Sequence, residues 1–329
     1  MSSSIHKRYD GLFSLDNMFS AWNIFRRGKT RKKDVMDFEM HLEDNIFLLY
    51  EEVNNDMYHH LPYTYFEIFD NKKRDIYKAE VRDRIIHQII YDYLLYCFEP
   101  AFISDSYASR MNKGQYKALN TFRYFIKLAS SAHKGCYVLK CDVRKYFDTV
   151  DQSVLFNIIK EKVTCEKILK IIKEVLSSYH SFTSPQKGIP LGNITSQVFA
   201  NIYLNTLDYY VKKELKCRFY VRYNDDFVII FENSKHIITT RDNIICFVKN
   251  KLLLDIPIEK TSIRKISWGV DFLGFVVLPH AILLRDKTKN KIYAHINRRN
   301  MHSYLSLLKH CNAYNLKTKI LAMEKIYKI

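Results

Sequence analysis

Two apolar stretches of the chain each deliver acidic residues to the place where a strand is predicted to end. Residues 136–142 alternate toward a strand that closes on Asp142, and residues 218–231 form two Val-, Ile-, Tyr- and Phe-rich strands around a tight turn. That turn follows Tyr223–Asn224 and carries the adjacent acids Asp225 and Asp226. Acids in an apolar hairpin are costly to bury unless a cation or solvent compensates them. Asn-Asp turn chemistry alone would explain the hairpin, but the equally apolar setting of Asp142 favours a functional site.

Carboxylates brought to one edge of a sheet by two strands can bind a pair of divalent cations. Such ions lie ~3.5–4 Å apart and stabilise the attacking and leaving oxygens of a phosphoryl displacement. Ligands that are all oxygen atoms favour Mg²⁺, which Mn²⁺ can replace. The pattern therefore predicts two-metal phosphoryl-transfer chemistry.

Hydrophobic periodicity predicts a mixture of helices and short strands along the rest of the chain. Residues 1–35 are polar and basic, and are interpreted either as a solvated arm or as an RNA-contacting segment, because clustered cations release counterions from phosphates. A two-stranded ribbon is predicted over 63–76, a strand over 256–263 and a hairpin over 269–275. Helices are predicted from residue 34 to about 54 and over 81–97, 115–133, 151–162, 165–179, 196–216, 240–253, 298–310 and 316–328.

Charge and composition favour a nucleic-acid partner. The 329 residues contain 52 Lys plus Arg against 35 acids, a formal net charge of +17, which suits a polyanion. The 24 Tyr and 21 Phe offer rings that could stack on bases. A basic membrane-surface protein is the competing interpretation, but the sequence shows neither an amphipathic basic helix nor a lipidation signal.

The cysteine and histidine pattern argues against disulfides and zinc. The seven cysteines have no paired short spacing, and several lie in apolar stretches typical of a reduced compartment. His59 and His60 lack partners at zinc-ligand spacing. With no apolar signal region and no run of membrane-spanning length, we expect a cytoplasmic protein with no membrane partner.

The order of the motifs resembles the reverse transcriptases. The strand–Asp142–x4–Phe147 element and the Tyr223–x–Asp225–Asp226 hairpin look like the palm of that family. Residues 188–197 match the loop that opens the palm helix, where most members carry Gln-Gly-x3-Ser-Pro. This chain carries Leu-Gly-x3-Ser-Gln, which resembles the reverse transcriptases of diversity-generating retroelements. The resemblance runs from about Leu15 to Val277.

The resemblance implies an α+β protein with the right-hand polymerase fold. It would have fingers, a palm made of an antiparallel sheet packed on helices, and a short helical thumb. The implied boundaries are a basic N-terminal arm over 1–35, fingers with part of the palm over 36–135, the palm over 136–280 and the thumb over 281–329.

Catalytic roles follow from the same resemblance. Asp142 and Asp225 would ligate two Mg²⁺ ions, with the carbonyl of Val143 as a further ligand and Asp226 in support. Lys260 would protonate the leaving pyrophosphate, a general-acid role, although an ordinary surface lysine is the alternative.

The family also implies sites for the nucleotide and the nucleic acid. Arg74, at a basic ribbon tip, would bind triphosphate oxygens in a bidentate manner, with Lys73 as the weaker candidate. Phe147 would exclude a 2′-hydroxyl and so select dNTPs, unless it is simply a core aromatic. Leu191 has no side-chain hydrogen-bonding group, and so would discriminate poorly between correct and incorrect pairs. Residues assigned to dNTP binding are Lys73, Arg74, Phe147, Leu191, Gly192 and Gln197, and those assigned to template and primer are Arg110, Lys113, Gly269, Phe272, Leu273 and Gly274.

The predicted function is an error-prone RNA-directed DNA polymerase that copies a template-repeat RNA and is mutagenic opposite adenines, as in mutagenic retrohoming. The resemblance implies an RNA template, a DNA or RNA primer, dNTPs, a small basic accessory protein and a specific non-coding RNA as partners. Two alternatives stay open. One is another bacterial reverse transcriptase, from a retron, a group II intron or an abortive-infection system. The other is a palm-like RNA-binding protein without catalysis.

Overall fold

A computed structural model describes residues 11–70, 72–132, 135–181 and 184–326. The chain divides into two compact units. The first comprises residues 1–103, 144–207 and 247–255, and the second comprises residues 104–143, 208–246 and 256–329. Among the described residues, no helix combines the length and apolarity needed to cross a bilayer.

Helices and short antiparallel strands alternate along the chain, which confirms the α+β prediction. The helices are α1 Leu15–Phe25, α2 Lys33–Met40, α3 Leu42–Asn54, α4 Val81–Phe98, α5 Gln115–Ala132, α6 Tyr146–Thr149, α7 Gln152–Lys160, α8 Glu166–Ser177, α9 Ile194–Tyr209, α10 Ile237–Leu252, α11 Asp286–His295, α12 Met301–Leu308 and α13 Tyr314–Ile326. The strands are β1 Thr64–Asp70, β2 Lys72–Lys78, β3 Tyr137–Asp142, β4 Phe219–Tyr223, β5 Asp226–Phe231, β6 Thr261–Lys265, β7 Val270–Phe272, β8 Phe275–Val277 and β9 Ile282–Leu284. Short 3₁₀ turns span Glu99–Ala101, Ile258–Lys260 and Ile266–Trp268, and a π-helical turn spans Tyr210–Glu214.

The described part of the predicted basic arm contains a packed helix, α1. Ser14 caps the start of helix α1, because its hydroxyl accepts a hydrogen bond from the Asn17 amide at 3.3 Å. Its Met18, Trp22 and Phe25 side chains are buried. The interpretation of residues 1–35 as a solvated arm is therefore wrong for this helix, because its apolar stripe buries surface that a mobile segment would leave in water.

The helix predicted from residue 34 is in fact two helices. His41, with φ −124° and ψ 40°, separates α2 from α3. The hydrophobic periodicity continues across this break, and for that reason the sequence pattern did not reveal it.

The second unit is built on a four-stranded antiparallel sheet in the order β4-β5-β3-β6. Helix α5 packs against it, and Leu119, Phe122 and Ile126 share one buried cluster with residues of these strands. This arrangement confirms the predicted antiparallel sheet packed on helices.

The strand predicted over 256–263 begins later than expected. The chain turns through the 3₁₀ segment Ile258–Lys260, in which the Lys260 amide donates to the Pro257 carbonyl at 2.9 Å, and β6 starts only at Thr261. Pro257 has no amide hydrogen to donate to a sheet, so pairing with β3 begins only beyond the turn that follows it.

The C-terminal part of the second unit is a small sheet and three helices. Strands β7, β8 and β9 form an antiparallel sheet, and α11, α12 and α13 bury Ile292, Met301, Leu308 and Ile320 in a satellite core. The helices predicted over 298–310 and 316–328 are confirmed as α12 and α13. Helix α11 and strand β9 were missed, and in α11 only Ile292 is buried, so the helix has almost no apolar periodicity to detect.

Gly188 offers a test of the loop that precedes α9. Its φ is +94°, and a Cβ there would lie 2.9 Å from Cε1 of Tyr179. Gly135 also has a positive φ, +111°, but a Cβ there meets nothing within 4 Å. Gly188→Ala and Gly135→Ala should each carry backbone strain of about 1–3 kcal/mol, and Gly188→Ala should lose about 1–3 kcal/mol more through overpacking. Urea unfolding of both variants measures the difference, and equal losses would contradict the steric argument.

Candidate active site

The pairing of β3 with β5 brings two of the predicted acids together. Asp142 and Asp226 are direct register partners at the end of this antiparallel pair. Opposite residues on one face have Cβ atoms ~4.5–5.5 Å apart. The Val143 amide donates to the Asp225 carbonyl at 3.4 Å, so the turn that follows Asn224 lies beside the end of β3. All four predicted metal-site residues thus lie at one edge of this sheet.

Lys260 lies at the same edge because of the register of β6. Cys141 pairs with Thr261, so Lys260 comes opposite Asp142. Its Nζ donates to Oδ1 of Asp142 at 2.7 Å and to the Val143 carbonyl at 3.4 Å. The structure therefore brings the predicted general acid into contact with a predicted metal ligand.

Lys140 is a residue of this cluster that the sequence analysis missed. Its Nζ lies 3.1 Å from Oδ2 of Asp226 and donates to the Asp271 carbonyl at 3.0 Å. Side chains two residues apart in a strand share a face, so Lys140 is on the same face as Asp142. That spacing was the signal that could have identified it.

Burial and mutual repulsion disfavour the ionised form of the hairpin acids. Burial, and next the charge of Asp142, raise the pKa of Asp225 above its usual value. Burial raises the pKa of Asp226 to about 6, with further increases from Asp142 and Asp225 and an opposing effect of Lys140. One oxygen of Asp226, Oδ1, is buried without a hydrogen-bond partner. The cluster therefore contains negative charge that the two lysines only partly compensate.

These residues fit a divalent cation in donor type and in charge. Every candidate ligand is an oxygen, as Mg²⁺ prefers, and the orphaned Oδ1 of Asp226 is buried in the cluster. Within the described residues, no group of three or more His, Cys, Asp or Glu side chains is arranged to hold a metal by itself. Magnesium commonly takes only one or two carboxylates and completes its shell with water and substrate phosphates, so two aspartates and a carbonyl are a sufficient protein contribution.

The predicted triphosphate-binding ribbon is the β1–β2 hairpin of the first unit. Lys73 forms an ion pair with Glu67 at 2.6 Å. Arg74 is exposed and, among the described residues, forms no ion pair, whereas its neighbour Lys73 does. It lies two residues from Ile76 and so on the same strand face, and a Cβ at Gly192 would come 3.0 Å from Cγ2 of Ile76. Arg74 therefore shares its strand face with a residue that contacts the Leu191–Gly192 loop, whereas Lys73 is on the opposite face.

The loop with Leu191 is fixed to the base of that hairpin by two hydrogen bonds to the backbone of Tyr77. The Tyr77 amide donates to the Leu191 carbonyl at 3.0 Å, and Nδ2 of Asn193 donates to the Tyr77 carbonyl at 3.0 Å. Gly192 has φ +113°, a value that side-chain-bearing residues rarely adopt. The Leu191 side chain is half-buried, whereas Gln197, on the first turns of α9, is exposed.

Phe147 is held next to the same loop. Its carbonyl accepts from the Ile189 amide at 2.8 Å, and its half-buried ring meets Tyr146 edge-on at 5.4 Å between centroids. Phe147 is thus hydrogen-bonded to Ile189, which lies two residues before Leu191 in the same loop. This spacing is compatible with a common nucleotide pocket in this unit.

The predicted template residues of the second unit lie in a tightly bonded loop. Nη1 of Arg110 donates to the carbonyl and hydroxyl of Ser106 at 2.9 and 2.7 Å, and Nζ of Lys113 donates to the Ser104 carbonyl at 2.6 Å. Both side chains are partly exposed.

The hairpin at 269–274 connects to that loop through Gln115, whose Nε2 donates to the Leu273 carbonyl at 2.8 Å. Leu273 and Gly274 form its turn, with φ +51° and +86°. Gly269 has no room for a side chain, since a Cβ would lie 2.7 Å from Val276. The Phe272 ring is fully buried against Phe122, so its predicted contribution to primer binding can only be the shape of the hairpin.

Comparison with known proteins places this site in a family. The profile of the family described as reverse transcriptase (RNA-dependent DNA polymerase) matches residues 70–277. The Escherichia coli protein YkfC is 24% identical over 269 residues, which cover 69% of this chain and 69% of YkfC. The group II intron-encoded protein LtrA of Lactococcus lactis is 24% identical over 263 residues, which cover 59% of this chain and 42% of LtrA.

Solved structures show the same fold at low identity. Apo telomerase from Candida tropicalis, truncated from its C-terminal domain, matches with a TM-score of 0.51 at 16% identity, over 68% of this chain and 55% of that one. Telomerase from Candida albicans in complex with a fragment of telomeric RNA matches with a TM-score of 0.53 at 12% identity, over 76% of this chain and 50% of that one. The right-hand polymerase fold is thereby confirmed. The chain spans about half of these two telomerase chains and less than half of LtrA.

The raised pKa of Asp226 predicts how stability depends on pH without metal. Between the unfolded pKa near 4 and the folded value of about 6, the folded state binds more protons than the unfolded state. Stability in EDTA should therefore fall as pH rises through this window. Asp226→Asn removes the titrating group, so at pH 7.5 it should be more stable than the wild type by about 1–3 kcal/mol.

Urea unfolding of both proteins in EDTA at pH 4.5, 6 and 7.5 measures this effect. The advantage of Asp226→Asn should shrink toward the lowest pH. A constant difference at all three values would show that the carboxylate does not titrate in this range.

Proposed function

The chain belongs to the reverse transcriptase (RNA-dependent DNA polymerase) family, and from this membership we propose that it is an error-prone reverse transcriptase of the diversity-generating type. It copies a template-repeat RNA into cDNA with misincorporation opposite adenines. Membership of the family confirms the coarser prediction of an RNA-directed DNA polymerase.

One observation carries the catalytic part of the proposal. The register of β3 with β5 and β6 places Asp142 opposite Asp226 and brings Lys260 into contact with Asp142. A palm-like protein that only bound RNA would have no reason to gather carboxylates that its lysines only partly compensate, because the partial burial of this charge destabilises the fold.

In the proposed reaction, the protein's own residues bind the cations and supply a proton. Asp142 and Asp225, with the Val143 carbonyl, hold the divalent cations, and Asp226 supports them with its unpaired oxygen. When bound there, Mg²⁺ would supply a lower pKa for the primer 3′-hydroxyl and would neutralise charge that develops on the phosphate. Lys260 carries the proton that the leaving pyrophosphate receives, a general-acid role supported by its contact with Asp142.

The nucleotide pocket combines a cation, an aromatic ring and an apolar side chain. Arg74 binds triphosphate oxygens, and Phe147 excludes a 2′-hydroxyl, which makes the enzyme select dNTPs. Leu191 lies beside the new pair and contacts it only through apolar atoms. A mispaired nucleotide then loses little relative to a correct one, because there is no hydrogen bond to break.

The partners of the proposed reaction are an RNA template, a DNA or RNA primer and dNTPs. Arg110 and Lys113 bind the template backbone, and the hairpin at 269–274 supports the primer. The net charge of +17 supports a polyanionic ligand. A small basic accessory protein and a specific non-coding RNA complete the proposed assembly.

A second candidate function is that of a group II intron reverse transcriptase. The similarity to the group II intron-encoded protein LtrA favours it. The sequence Leu-Gly-x3-Ser-Gln at 191–197 favours the diversity-generating type. A pair of repeats beside the coding sequence, one of them variable at adenine positions, would decide between them.

Asp225→Ala should abolish primer extension in Mg²⁺ while RNA binding is retained, because a metal ligand is lost and no basic contact is removed. Asp242→Ala is the matched control, since Asp242 is an exposed acid whose carboxylate pairs with Arg241 at the surface. It should leave extension unchanged. Primer extension and filter binding measure the two properties, and full extension by Asp225→Ala would contradict the assignment.

Leu191→Gln should lower the error frequency. An amide would give a correctly placed nucleotide a hydrogen bond worth ~0.5–1.5 kcal/mol, and a mispaired nucleotide would lose part of it. At ~1.4 kcal/mol per tenfold, errors should fall by a few-fold up to about tenfold, most strongly opposite adenine. Leu191→Met, similar in volume and without an amide, should leave the spectrum unchanged.

The measurement is deep sequencing of cDNA made by the three enzymes on one RNA template at equal dNTP concentrations. An unchanged spectrum for Leu191→Gln with normal activity would remove Leu191 from the fidelity argument and weaken the diversity-generating assignment.

A further inference from the structure

A fully buried ion pair lies directly behind the acidic hairpin. Arg222 on β4 is 1% exposed and Asp208, near the end of α9, is 0% exposed. Nε and Nη2 of Arg222 donate to the two oxygens of Asp208 at 2.7 and 2.6 Å, a bidentate geometry. The Tyr220 hydroxyl donates to the same carboxylate at 2.7 Å.

The backbone of Arg222 is fixed as firmly as its side chain. Its amide donates to the Asp105 carbonyl, and its carbonyl accepts from the Tyr107 amide, both at 3.0 Å. Asp105 is itself paired with Lys212 at 2.7 Å. Arg222 therefore has little freedom to move relative to the loop around residue 106 or to the end of α9.

One guanidinium nitrogen of Arg222 bonds to the turn that carries Asp225. Nη1 of Arg222 donates to the Asn224 carbonyl at 3.2 Å. Asn224 has φ +53°, a left-handed conformation that is uncommon for residues other than glycine and that costs free energy to maintain. The peptide group of this bond links Asn224 to Asp225, so the bond acts on the orientation from which the Asp225 side chain projects.

We propose that Arg222 is a positioning residue, which uses its bidentate anchor on Asp208 to hold the Asn224–Asp225 turn in the conformation that binds the divalent cation. The inference rests on the proposed role of Asp225 as a metal ligand. A buried salt bridge is weak evidence for a stabilising role, since apolar residues of similar volume often replace such a pair without loss. The three charge-assisted hydrogen bonds to Asp208 are better explained by a need to fix the guanidinium that bonds to the Asn224 carbonyl.

The competing explanation is that the pair only stabilises the second unit. The two explanations separate in a variant that restores packing but not the bond to the turn. Arg222→Met and Asp208→Leu are made together in a Tyr220→Phe background, because the buried Tyr220 hydroxyl would otherwise lose its acceptor on Asp208. This double variant replaces the ion pair by apolar residues and leaves no buried charge unpaired. Stability should then be close to that of the wild type, whereas the Asn224 carbonyl has lost its donor.

The test measures Mn²⁺ binding by the loss of the free-ion signal in electron paramagnetic resonance. The sample is the full chain with an RNA template, a chain-terminated primer and the next dNTP, so that binding is read without turnover. Asp225→Ala supplies the background from nucleotide-bound Mn²⁺. Thermal unfolding of each variant and primer extension at varied Mg²⁺ concentrations accompany it.

We expect the double variant to unfold near the wild-type temperature and to need about tenfold more Mn²⁺ for half-saturation, the effect of about one lost hydrogen bond. Its Mg²⁺ requirement in primer extension should rise in parallel. Tyr220→Phe is the matched control, because it removes one hydrogen bond to Asp208 and none to the turn. It should lower thermal stability without changing the Mn²⁺ midpoint.

A folded double variant with a Mn²⁺ midpoint within twofold of the wild type would overturn the proposal. If the double variant does not fold, Arg222→Lys decides, since it keeps the buried charge pair but cannot bond both Asp208 and the Asn224 carbonyl. A wild-type midpoint for Arg222→Lys would equally overturn it. Failure of the proposed function looks different, because Asp225→Ala would then bind Mn²⁺ and extend primers like the wild type.

Discussion

The antiparallel pairing of β3 with β5 in one fixed register is the constraint on which the candidate site depends. It makes Asp142 and Asp226 direct neighbours at the end of the sheet. A slip of one residue would turn each side chain to the other face, and the carboxylates would separate. The apolar residues of both strands secure the register, because they are buried in one core with α5.

That register brings carboxylates close together, and a lysine lies beside each of the two that face each other. Lys140 lies against Asp226, and Lys260 lies against Asp142. Lys140 is on β3, and Lys260 is in the turn immediately before β6. Their positions therefore follow from the pairing of these strands in the same sheet. The exposure differs, since the side chain of Lys140 is 19% exposed and that of Lys260 is 37% exposed. The more exposed lysine is the freer to leave its carboxylate, which is consistent with the role of proton donor proposed for Lys260 and with a fixed counter-charge at Lys140.

The sequence predicts those parts of the site that depend on local periodicity. Period-two alternation ending in Asp142, and the apolar hairpin around Asp225, are sufficient to place both acids at strand ends. The same rule applied to Lys140 would have added it to the cluster. Contacts that depend on register between distant strands, such as that of Lys260 with Asp142, have no local signal. Helix α1 was hidden for a different reason, because its buried Trp22 lies in a segment whose basic flank dominates the composition.

The position of the loop with Leu191 does not depend on the Leu191 side chain. Its position is set by two hydrogen bonds with the backbone of Tyr77, one to the Leu191 carbonyl and one from the side chain of Asn193. Neither contact uses the Leu191 side chain. Gly192 adds a third restraint, because its φ of +113° and its approach to Ile76 exclude larger residues. A substitution at 191 therefore leaves these restraints on the loop intact. The proposed effect of Leu191 on selectivity thus depends on contacts different from those that hold Asp142 and Asp225, which belong to the ladder of β3 with β5.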